Sequence, residues 1–332
     1  MANRNPNAAL DRMPMELLLI ATEDVKYETL KTLTLVCKRL RLAFLPQTAS
    51  RVTVAGNVPQ MTSRLTSLLN DHPYSPSGPM SQYIKQVIHV HLRLFLSNRI
   101  TLRQVFFRPE PIQMNTPTLQ LPRLVGKFCR KAVSLQKVTV TTYDFYKVLE
   151  VHASQIKRLA FVDLQGIPGT GLNPRLTTSF LNGVETNFKQ LECLILGEFL
   201  NPKFAWGQHQ FRDLTAKTDL NTMILKVIMV LRSKPKLTRF AFVLSEDTIG
   251  IRGYSSDENE WNPWTNDDGK GIWYAGLVHN ISGFIPGLEQ LCIRAQPSVY
   301  CHGIRSPGEP EMAVYWETDR EETDDEFDNF FD

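Results

Sequence analysis

The chain has 332 residues, 42% of them hydrophobic, 10% aromatic and 21% charged, which is enough apolar material for one or two substantial cores and excludes wholesale disorder. Its 20 prolines and 18 glycines imply many turns without a collagen-like or low-complexity composition. The net charge of +3 conceals a division: residues 309–332 hold eleven carboxylates against the single base Arg320, a net −10, which leaves +13 on residues 1–308.

The opening dozen residues are polar and carry neither the apolar segment of a secretory signal nor the Arg/Ser-rich amphipath of a transit peptide. Residues 1–8 are expected to be flexible and the protein to work in the cytoplasm, the nucleus or both. Five cysteines, an odd number with no C-x-x-C pair, fit reduced thiols in such a compartment. The most apolar run, Met223 to Leu231, is interrupted by Lys226 and falls far short of the roughly 20 residues that cross a bilayer, so no membrane partner is expected.

The first structured unit extends from about Leu10 to Pro46. Pro14 suits the first position of a helix, where its missing N–H costs nothing, and MELLLIA after it is strongly helix-forming. The segment YETLKTLTLVCKRLRLAFL places Leu30, Leu33, Val36, Cys37, Leu40 and Phe44 near helical spacing, with Lys38, Arg39 and Arg41 opposite. Two or three small helices closing at Pro46 follow. Some forty residues bury little surface, and MPMELLLI holds more aliphatic groups than one helical face hides in so small a bundle. Part of this cluster is expected to face a partner.

The string Leu10, Met13-Pro14, Glu16-Leu17-Leu18, Leu30, Leu33, Val36-Cys37-Lys38-Arg39-Leu40-Arg41 resembles the F-box, whose pattern reads Leu-Pro-x-Glu-Leu, a spacer, then Leu-x-x-Val-Cys-Lys-x-Leu-Arg. The match covers about an eighth of the chain. It departs at Met13, where the family has Leu, and at Ile20, one residue before the family's Ile position, now Ala21. The resemblance implies docking onto a Skp-type adaptor of a cullin ubiquitin ligase core. Leu10, Met13, Pro14, Leu17 and Leu18 would supply the apolar anchor, while Leu30, Leu33, Val36 and Cys37 would hold the helices together or extend the contact.

Past residue 48 a unit recurs: an apolar helical segment, a turn, and a strand spaced apolar-x-x-apolar-x-apolar. Copies fall at Leu135/Val138/Val140, Ile156/Leu159/Phe161, Leu191/Leu194/Leu196, Leu237/Phe240/Phe242 and Leu288/Leu291/Ile293, with a weaker one at Ile84/Val87 that puts His89 third. Helical patterns precede them, for instance Leu121, Leu124, Val125 and Phe128 before the first. Stacked copies would share one interior. The whole resembles fungal-type F-box proteins with irregular leucine-rich-repeat-like solenoids, although a doubly wound α/β domain would show the same alternation. The expected fold class is thus α/β, with a helical F-box over 9–48, an irregular leucine-rich-repeat-like solenoid of parallel strands over 49–304, and an acidic disordered tail over 305–332.

Interruptions fall at 72–79, 166–174 and 253–273. The third holds Trp261 and Trp264 and ends at Trp273 among acidic residues, which makes these three tryptophans candidates for binding a target protein or, equally, a cap that folds back on the repeat. Lys85, His89, His91, Arg93, Arg99, Arg103 and Arg108, followed by Lys127, Arg130 and Lys131, form a basic stretch that a solvated face explains most simply, with acidic or phosphorylated peptides as the alternative ligand. No metal, cofactor or catalytic constellation is expected: His89 and His91 lack a third ligand, and neither G-x-x-x-x-G-K-[ST], G-x-S-x-G nor H-E-x-x-H occurs. The expectation is therefore a non-enzymatic substrate-recognition adaptor of an SCF-type ubiquitin ligase whose target the sequence does not name. A leucine-rich-repeat-like scaffold or nucleic-acid-associated protein outside the ubiquitin system is the alternative, nucleic acid being the less expected partner.

Overall fold

Helix α1 (Met15–Ala21) begins where Pro14, in extended conformation, presents its carbonyl to the Leu18 N–H at 3.1 Å. It ends at Thr22, whose hydroxyl donates to the Leu18 carbonyl at 2.8 Å. The next helical pattern is split in two, α2 (Tyr27–Val36) and α3 (Lys38–Ala49), because Cys37 is extended and its Sγ accepts from the Leu40 N–H at 3.5 Å. Helix α3 continues through Pro46 instead of stopping there; so close to the helix end the ring forfeits only the bond to the Leu42 carbonyl. Leu18, Leu30, Leu40, Ala43 and Phe44 form the small core of this unit. The computed structural model describes residues 13–22, 25, 27–70, 81–94, 117–141, 149, 153–162, 178–198, 215–244, 267–296 and 299–318.

The rest is mixed α/β, built on a nine-stranded, mostly parallel sheet. Strands β1 (Arg51–Gly56), β2 (His89–Leu94), β3 (Lys137–Val140), β4 (Arg158–Phe161), β5 (Cys193–Glu198), β6 (Arg239–Val243) and β7 (Gln290–Gln296) are parallel; β8 (Val299–Ile304) and β9 (Ala313–Thr318) continue the sheet antiparallel. Helices α4 (Val58–Leu69), α5 (Ser81–Ile84), α6 (Pro117–Lys131), α7 (Thr178–Asn187), α8 (Thr215–Arg232) and α9 (Asp267–Phe284) lie between strands in the chain. Strand order follows chain order without a reversal, whereas a doubly wound sheet reverses at its switch point. Right-handed crossovers between such strands all pass on one side. Accordingly, every buried apolar side chain of α4–α9 joins one cluster with Val90, Val138, Leu159, Leu194, Phe240 and Leu291 of the sheet.

The recurring unit explains that side of the sheet. Leu135, Ile156, Leu191, Leu237 and Leu288 are buried at the turn ahead of each strand, and the next two apolar positions point into the same core. The copy expected at Ile84/Val87 is shifted by one step: Val87, Val90 and Leu92 fill it, and His89 lies on the opposite face. Two features escape the repeat. Strand β1 precedes the first expected copy, and residues 305–318, assigned to the tail on charge, contain β9, which pairs with β8 from Ile304↔Ala313 to Val299↔Thr318.

Candidate functional site

The three N-terminal helices hide only part of their aliphatic content. Leu18 and Leu30 are interior, and Met13, Leu33 and Cys37 pack against that interior half-buried. By contrast Leu17 is 50% exposed, Ile20 67%, Leu35 73%, Val36 64% and Leu42 51%, and Pro14 is exposed beside Leu17. Leu10 lies outside the described residues. Of the expected adaptor-contact residues, Pro14, Leu17 and Val36 therefore sit at the surface, while Leu18 and Leu30 serve internal packing. Ile20, Leu35 and Leu42 are surface residues that the motif match overlooks; the helical period shows them once the break at Cys37 is known.

Local structure fixes these residues. One Arg39 Nη donates to the Met13 carbonyl, tying the start of α1 to α3, and Arg41 Nε donates to the Thr34 carbonyl at 3.0 Å, tying α3 to the last turn of α2. Between the end of α2 and the start of α3 opens a groove of about 290 Å³ lined by Leu35, Val36, Cys37, Lys38, Arg41, Leu42 and Leu45. A lining that combines aliphatic groups with two cations suits a helix or loop that carries both aliphatic and acidic side chains. Covering what remains open on five such aliphatic side chains is worth on the order of 5 kcal/mol.

A second surface is the sheet face opposite the helices. Its N-terminal row takes one side chain per strand: Arg51, His89, Lys137 and Arg158 are in register from β1 to β4, Cys193 follows on β5 and Arg239 on β6. Farther along, Arg294 lies over the Tyr300 ring at 5.9 Å. His89 Nε2 is 3.2 Å from Thr139 Oγ1, and its pKa is held down at about 3 by burial first and then by Arg158, Arg51, His91 and Lys137. The basic stretch of the sequence is divided by the fold: His89, His91 and Arg93 belong to this face, whereas Lys127, Arg130 and Lys131 are exposed on α6. Arg99, Arg103 and Arg108 lie outside the described residues. The row was legible as a column, the residue just before the second apolar position of each repeat, but not as a run.

Of the three candidate tryptophans, Trp261 and Trp264 lie outside the described residues. Trp273 is on α9, half-buried against the main core and edge-on to Tyr274 with centroids 5.0 Å apart. Tyr274 in turn meets Trp316 of β9 at 5.7 Å and donates to the Leu244 carbonyl at 2.8 Å. Trp273, Tyr274 and Trp316 thus pack edge to face between α9 and β9. Among the described residues no group of three His, Cys, Asp or Glu side chains is placed to hold a metal ion, and no helix is long and apolar enough to cross a membrane. No protein-family model matches the chain, and a search of curated proteins returns no match.

Proposed function

We propose that the protein is a substrate-recognition adaptor: the N-terminal helices act as an F-box that docks a Skp-type adaptor of a cullin ubiquitin ligase, and the body, a degenerate leucine-rich-repeat-like solenoid, holds a target protein. What supports this reading is the aliphatic surface left open on α1–α3, at Leu17, Ile20, Leu35, Val36 and Leu42, in a segment whose sequence carries the Met-Pro-x-Glu-Leu and Val-Cys-Lys-Arg-Leu-Arg strings. The solenoid half of the reading draws on the chain-ordered parallel strands and the buried turn residue ahead of each of β3–β7. Catalysis is not part of this role. Its contribution is proximity, since a tethered target meets the transfer machinery at an effective concentration no free encounter reaches.

Co-expression with a Skp-type adaptor tests it. A stable complex is expected from the unmodified chain. Substitutions at exposed positions, Leu17→Asp and Leu35→Glu/Val36→Glu, should weaken it by roughly a hundredfold while leaving the fold intact, because none of these side chains belongs to the helical core. No complex with the unmodified chain, or an undiminished complex with both variants, would overturn the reading.

A further inference from the structure

Among the described residues, the sheet face opposite the helices is formed by the strands and by Val162 just after β4. Its apolar middle consists of Ala160, Val162, Cys193, Ile195, Ala241, Cys292 and Tyr300, all buried, and no buried apolar side chain of a described helix belongs to it. Around that middle stand the cations Arg51, Arg93, Lys137, Arg158, Arg239 and Arg294. Carboxylates at strand positions of this face are few among the described residues: Glu317 on β9, whose Oε2 lies 3.1 Å from His302 Nε2, and Glu198 at the β5 bulge.

We propose that residues 319–332 of the chain lie across this face, their carboxylates against the cation row. The segment DREETDDEFDNFFD holds eight carboxylates and one base, a net −7 in 14 residues. It leaves the sheet directly from Thr318 at the end of β9, the strand at the opposite edge from β1. Neighbouring strands are about 4.8 Å apart, so β2 lies roughly 34 Å from β9. Thr318 pairs through Val299 with Gln296 at the C-terminal end of β7, whereas the row lies at the N-terminal end, so the path to Lys137 on β3 is a diagonal of about 33 Å, within the roughly 46 Å that fourteen extended residues reach. Phe327, Phe330 and Phe331 add the apolar groups that the middle of the face would bury. Of the remaining segments outside the described residues the most acidic, 245–266, carries five carboxylates against Arg252, a net −4 spread over 22 residues, and is the weaker electrostatic complement. Any acidic ligand for the face then competes with the chain's own residues. The proposal is independent of the adaptor reading, since it concerns neither α1–α3 nor ubiquitin.

Zero-length carbodiimide coupling on the full chain, followed by peptide mapping, tests the placement, because Lys137 is an amine within the cation row. Coupling of Lys137 to carboxylates between Asp319 and Asp332 is expected; coupling to Glu246, Asp247, Asp257, Glu258 or Glu260 instead, or to neither segment, would overturn the proposal. A labelled peptide of sequence 319–332 provides the second measurement. It should bind the chain lacking 319–332 at least about tenfold more tightly than the full chain, in which the tethered copy competes. That binding should weaken roughly tenfold between about 50 and about 300 mM salt, and should be lost in a Lys137→Glu/Arg239→Glu variant whose circular dichroism is unchanged. Equal binding to both chains, or binding that survives the charge reversal, would sink the idea.

Discussion

His89 is where charge and burial meet most directly. In the folded chain its imidazole stays neutral down to about pH 3, because protonating it would place a buried cation beside Arg158, Arg51, His91 and Lys137. The unfolded chain protonates the same residue near pH 6.5. Below that value the unfolded state binds the extra proton, so stability falls as pH drops from 6.5 toward 3 and is unaffected by this group above 6.5. Between pH 7 and pH 5 the loss assigned to His89 is on the order of 2 kcal/mol. In urea titrations at the two pH values, His89→Gln, which retains a donor for Thr139 Oγ1, should show a pH penalty smaller by that amount. At Gly303 space decides instead: a Cβ there would stand 2.5 Å from Val278 Cγ1 and 2.9 Å from Met312 Sδ. Val278 is β-branched and held by α9, so it yields little. Gly303→Ala should cost about 1–3 kcal/mol in the same titration.

At the scale of elements, consecutive layers are joined by a repeated device. Lys131, at the end of α6, donates to the Leu69 carbonyl at the end of α4 at 3.1 Å; Lys234, just after α8, donates to the Glu185 carbonyl in the last turn of α7; Arg305, after β8, donates to the Ser282 carbonyl of α9 at 2.9 Å. Each places a cation on the helix terminus that has unpaired carbonyls and the negative end of the dipole. Lys234 is buried, and burial pulls its pKa below the usual lysine value against the opposing pull of Glu185. Lys234→Met should therefore cost about 1–3 kcal/mol, and Lys131→Met, at an exposed bond, under about 1 kcal/mol; thermal melts of the two variants side by side check the ranking. None of these pairings is visible in the sequence, because each partner is a backbone carbonyl 23 to 62 residues away. What was visible was local and periodic: the apolar-x-x-apolar-x-apolar strands β3–β7 follow from five turn leucines or isoleucines that have nowhere else to pack. Strand β1 was missed because Ala49 stands where those copies carry a large aliphatic, and β9 because its neighbours' carboxylates masked AVYWET. In the helical unit, the apolar excess of MPMELLLI was legible, but which members face outward depended on how α1 packs, through Leu18, against Leu30, Leu40 and Phe44.

Over the whole molecule, the core beneath the helices of the body and the core of α1–α3 differ greatly in size. The main cluster runs without interruption from Val54 to Met312, so removing any one strand exposes its neighbours and the body should unfold as a unit. The cluster of α1–α3 has five buried residues and leaves aliphatic surface in water. Among the described residues, one link to the body is the Ser50 carbonyl, just after α3, accepting from the Ile88 and His89 N–H groups at 2.9 Å. So small an apolar burial offsets little backbone entropy, and the helical unit should open below the global transition. Native-state hydrogen exchange measures this directly: amides of α1–α3 should exchange with an opening free energy several kcal/mol below that of β3–β7. On the adaptor proposal, a Skp-type adaptor present at about a hundred times its Kd should raise α1–α3 protection by about 2.7 kcal/mol while β3–β7 amides stay unchanged. Equal protection across both regions in the free chain would mean that the helical unit is welded to the body, and its open aliphatic surface would then need no partner to hold it folded.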